Sequence, residues 1–160
     1  MRTSAVFSLA VIVALSGCSH KTTISTGNGT ATVTTSQDNK TATIQTKEGT
    51  VTLGAGAVDA SKLGAPLYPG AKQNEGGAMT VAGGEGGSSV AAFTTEDSFD
   101  KVYDWYKGQM PAGSEKMKMS TAAGDMAQFV SGANDKDQTT VMITSKDNKT
   151  SIVISHNTKK

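Results

Sequence analysis

Residues 93–111 read FTTEDSFDKVYDWYKGQMP, and the period of the sequence changes in the middle of this stretch. From Phe99 onward Val102, Tyr103, Tyr106 and Met110 recur at spacings of three and four, which lines a single face of a helix. Thr94 to Ser98 place hydroxyl and carboxylate groups ahead of that stripe, where they can accept from the free N–H groups of a first turn and oppose its dipole. Gly108 and Pro111 are the stop signals. Trp105 falls on the shoulder of the stripe, half in and half out, and is the candidate partner-contact residue.

Outward from this helix the pattern is strands. Ala78–Val81 and Ser89–Phe93 flank a loose glycine loop, residues 83–87, and read as a hairpin. The glycines lead into another strand rather than a helix N-terminus, so the loop is no phosphate cradle. Residues 115–120, 125–130, 139–145 and 150–156 alternate apolar and polar side chains around Gly124, Asn134-Asp135 and Asp147-Asn148. The order β-β-α-β-β-β-β predicts an α+β domain over residues 63–156, a small antiparallel sheet packed against one amphipathic helix, with 157–160 as a tail.

Residues 18–62 have a different texture. Ala31-Thr32-Val33, Ala42-Thr43-Ile44 and Val51-Thr52-Leu53 alternate apolar with hydroxyl, which predicts a threonine-rich β-meander with one thin apolar face. So thin a sheet needs support: it docks on the C-terminal part, is covered by a partner, or is a partly mobile stalk. Val58–Gly70, with two of its residues proline, reads as a linker ending in a packed turn.

The chain has 160 residues, 36% hydrophobic and only 5% aromatic, with 15 Lys+Arg against 14 Asp+Glu. Near-zero charge leaves no field to recruit nucleic acid. One cysteine excludes an intramolecular disulfide and any zinc site built on several thiolates. That cysteine, Cys18, follows Arg2, an apolar run ending at Leu15, and Ser16-Gly17. The run is about half of the roughly 20 residues a spanning helix needs, so residues 1–17 read as a signal peptide cleaved between Gly17 and Cys18.

Leu15-Ser16-Gly17-Cys18 resembles the lipobox of bacterial lipoproteins. The resemblance implies a diacylglycerol thioether on Cys18, attachment to the membrane through that lipid, and a location in the cell envelope. Ser19 in place of Asp implies the outer membrane, facing the periplasm. Further on, Leu67-Tyr68-Pro69-Gly70-Ala71 and then Phe93-x-Thr95-x-Asp97-Ser98-x-x-x-Val102-x-x-Trp105-Tyr106 are similar to a domain found in bacterial envelope lipoproteins. The resemblance covers residues 63–156. Its motifs are turn and packing motifs, and no activity comes with it.

Chemistry is sparse. His20 and His156 lack a second imidazole at ligand spacing, and the carboxylate pairs Glu96/Asp97 and Asp135/Asp137 have no nucleophile or calcium-loop context. The expectation is therefore a non-enzymatic lipoprotein without a cofactor, acting as a binding or structural module, with an envelope protein as partner. Methionine is the surplus: Met117, Met119 and Met126 share neighbouring strands. They fill an irregular core, or they line an exposed face that carries Cu(I) or a small ligand. Burial distinguishes these readings.

Overall fold

A computed structural model describes residues 20–26, 29–38, 40–122, 124–132 and 136–159; Gly17, Cys18 and Ser19 lie outside them. Four short strands come first: β1 (His20–Thr26), β2 (Gly29–Thr35), β3 (Thr41–Gln45) and β4 (Gly49–Gly54). A 3-10 turn at Ala60–Lys62 leads to the long hairpin β5 (Lys72–Gly83) and β6 (Gly86–Thr95), the helix α1 (Phe99–Gln109), and β7 (Glu115–Thr121), β8 (Gly124–Ser131), β9 (Asp137–Lys146) and β10 (Lys149–Lys159).

The strands form one ten-stranded antiparallel sheet in the order β1-β2-β3-β4-β5-β6-β10-β9-β8-β7. This corrects the expected fold class. Of the described residues 62% are strand and 11% helical, and the α+β layout with a separate threonine-rich meander in front of it is not what forms. Instead β4 pairs along β5, Leu53 opposite Met79 and Val51 opposite Val81, so the threonine-rich strands extend the sheet edge to edge. The support a thin sheet needs comes from continuing backbone ladders rather than from face-on docking.

Local chemistry explains the individual elements. The β9–β10 turn has Asp147 at φ 52 and Asn148 at φ 59, as a two-residue type I′ turn requires. At the end of β4, Gly54 adopts φ +112, and a Cβ there would collide with the Lys40 carbonyl. The helix runs past Gly108 and stops at Pro111, with the Met110 N–H donating to the Tyr106 carbonyl at 2.8 Å. Ser98 holds the N-cap position, but its hydroxyl makes no capping bond.

One face of the sheet carries the core. Val102, Tyr106 and Tyr103 of α1 pack over Phe129, Val141, Ile143, Ile152 and Ile154, each of these strand residues no more than 1% exposed. The stretch expected to be a linker adds to the same core. Leu63 and Tyr68 are buried at 1% and 6%, with Ala57, Val58, Ala65 and Leu67 packed against the cluster. Helix and loop thus both lie on one side, which decides what the other side shows.

Candidate functional site

The motif residues meet in one cluster on the helix side. The Tyr68 hydroxyl donates to Asp97 Oδ2 at 2.7 Å, and Lys101 Nζ donates to Oδ1 at 2.8 Å. Thr150 closes the third side by donating to the Asp97 backbone carbonyl at 2.7 Å. Trp105 is half-buried, edge-on to Tyr68 (5.3 Å) and Tyr106 (4.8 Å). Tyr-Pro-Gly, Asp-Ser and Trp-Tyr are therefore parts of one latch that ties the 55–71 loop to the start and middle of α1. Trp105 packs into this latch and keeps part of its surface exposed.

Lys101 first, then Tyr68, hold the Asp97 carboxyl below its ordinary range, while burial followed by the Asp97 bond pushes the Tyr68 phenol up. A carboxyl lowered in the folded state contributes stability that is fully present above its unfolded value, about 3.9, and lost as pH falls through the lowered folded value. Tyr68→Phe should raise the Asp97 titration toward the ordinary value, and Lys101→Met should raise it more. Both should flatten the acid limb of stability. Carboxyl 13C shifts followed from pH 6 to pH 2 check this, and an Asp97 titration unmoved in both variants would refute the latch.

A cleft of about 370 Å³ opens beside the latch between Lys72, Glu96 and Lys149. It mixes both signs of charge and holds no nucleophile–base pair. The closest approach to a catalytic arrangement is elsewhere. Thr139 Oγ1 lies 2.9 Å from His156 Nδ1, and His156 Nε2 lies 3.6 Å from Asp137. Thr139 is 4% exposed and Gly64 lies directly against it, so its hydroxyl has no room for an acyl substrate. His156 is a half-buried partner of that hydroxyl. Among the described residues no cluster of three His, Cys, Asp or Glu could hold a metal ion.

The second feature is the sheet face opposite α1. Its register rows are apolar across many strands. Ala42, Leu53, Met79 and Val90 form one row, and Val33, Ile44, Val51 and Val81 the next. Ala92, Val153 and Met142 continue the face toward β8, where Met126 lies opposite Met119 of β7. No described helix or loop packs here. The four large apolar side chains exposed among the described residues are Ile24, Leu53, Met119 and Met142, at 45, 38, 44 and 37%, and strand alternation puts all four on this face. Contiguous apolar surface of this kind marks a contact site more often than it marks chance.

Most of the methionines lie outside the buried core. Of the six beyond Met1, only Met110 belongs to the buried core; Met117 and Met126 are half-buried and Met119 is exposed. Core filling is corrected: a strand alternates faces, and these side chains sit on the face away from the helix. Sequence alternation put Met117 and Met119 on one side, but could not say that the side was open. The Lys118 between them points inward, 3.8 Å from the centre of the Tyr103 ring, and Glu115 accepts from the Tyr103 hydroxyl at 2.9 Å.

A protein-family profile described as START domain-like matches residues 73–151, just under half of the chain. No curated protein and no solved structure gives a significant match. The matched stretch runs from β5 into the start of β10, so it contains α1 and the methionine-bearing strands but not β1–β4.

Proposed function

We propose that the protein is a lipid-anchored, non-enzymatic envelope lipoprotein that acts as a binding module, with the open face of the sheet as its contact surface. The observation that carries this reading is the one-sided burial of a ten-stranded sheet: core and helix on one face, a band of half-exposed apolar side chains on the other. The START domain-like match suggests a ligand-binding fold and supports the same class. The acyl chains on Cys18 hold the module to the membrane, and Ser19 assigns it to the outer membrane on its periplasmic side. The partner is an apolar or amphipathic segment of another envelope component, because a face with no carboxylate in its central rows offers shape and apolar area rather than charge.

Photo-activatable residues in intact cells test the surface. A probe at Val51 or Met79, in the middle of the open face, should give a discrete adduct. A probe at the exposed Asp104 on the helix should give none. A double charge substitution with opposite signs across the strand pair, Ile44→Glu with Val51→Lys, should leave the melting temperature within a few degrees and abolish the adduct from Met79. Equal labelling from both faces would refute the assignment.

A further inference from the structure

The open face changes composition along the sheet. On β2–β5 it is built from Val33, Ile44, Val51 and Val81, the β-branched residues that strands favour. On the last three strands of the opposite edge, β9-β8-β7, it carries Met142, Met126, Met117 and Met119 beside Gln128 and Thr144. An apolar contact surface alone gives no reason for that change.

The register brings three thioethers together. Met119 is directly opposite Met126, and Met117, opposite Gln128, is diagonal to Met126 on the same face; Met142 lies two strands from β7 and does not reach Met119. Direct cross-strand neighbours have Cβ atoms roughly 4.5–5.5 Å apart and diagonal ones about 7–8 Å, a span that unbranched side chains with three rotatable bonds can close onto a common centre. A shallow hollow of about 250 Å³ borders Met119, Met126 and Thr144. Met79 shares the face but sits on β5, three strand spacings from β9, or about 14 Å, too far to join.

We propose that Met117, Met119 and Met126 form a binding site for a soft monovalent cation, Cu(I) or Ag(I). Neutral thioethers select soft ions over the hard ones that carboxylates would take, and they have no proton to lose before binding. The site lies at one end of the proposed contact surface but depends neither on the lipid nor on a protein partner, so the two readings can fail separately.

The full chain, extracted in detergent, is titrated anaerobically with Ag(I) or Cu(I) while the methionine methyl signals are followed by NMR. One equivalent should shift the methyls of these three residues and leave Met79 and Met110 in place. Replacing all three by leucine keeps volume and apolar character and should weaken Cu(I) against a chromophoric chelator by at least about 100-fold, whereas Met79→Leu should not. Should the threefold variant fail to fold, Met119→Leu and Met126→Leu taken singly should each weaken binding by about tenfold. Absence of methyl shifts, shifts that include Met79, or undiminished affinity in the leucine variants overturns the site.

Discussion

Cys18→Ser abolishes incorporation of labelled fatty acid and, when the chain is exported behind an ordinary secretory signal, moves it from the membrane to the soluble fraction. This near all-or-none result is expected because the anchor is one chemical group. Each buried methylene of an acyl chain contributes about 0.8 kcal/mol, so several chains on a single residue far exceed the marginal hold of one myristoyl group. Among the described residues no helix is long and apolar enough to cross a membrane. Beyond residue 17 the chain has fourteen basic against fourteen acidic residues once Arg2 is gone, which gives little attraction to an anionic surface. The swap of signal matters, because a lipoprotein signal left uncleaved would itself retain the variant. A variant that still sediments with membranes as fully as the wild type would end the lipoprotein reading.

Phe129→Ala should remove most of the stability of the fold. Phe129 is 1% exposed, pairs with Val141 across β8–β9, and its ring lies 5.7 Å from that of Tyr103 and 6.4 Å from that of Tyr106. Emptying such a site costs about 3–5 kcal/mol, out of a total that for domains is about 5–15 kcal/mol. Since β8 belongs to the same sheet as β1–β4, amide protection should fall on both sides of the β4–β5 pairing. Met142→Ala, one residue from Val141 but on the open face, should change stability by no more than about 0.5 kcal/mol. Denaturant melts of the two variants check which face is the core. Comparable losses would mean that the open face is itself buried, as it would be against a second copy of the chain.

Much of the local structure was readable in the residues. Period two placed strands, the stripe from Phe99 to Met110 placed the helix, and Asp147-Asn148 announced a turn with two left-handed residues. The latch was half readable. Tyr68, Asp97 and Trp105 stood out as motif residues, but the bond between Tyr68 and Asp97 spans 29 positions and local pattern carries no information at that range. The same holds for Thr139 and His156. Leu63 carries no such signal, because a leucine between Lys62 and Gly64 shows no strand or helix period, although it is among the most buried side chains.

The sequence by itself determined the alternation of each strand, the amphipathic helix and the lipobox-like stretch Leu15–Cys18, since these depend on neighbours within a few residues. Only the tertiary structure decided that β4 would pair with β5 into one sheet, and that helix and loop would both settle on the Phe129–Ile154 side. Alternation divides a strand into two faces without saying which will be covered. That choice is made by the bulk available for packing: aromatic and branched side chains on one side met the helix, and the methionines, on the other side, were left facing out.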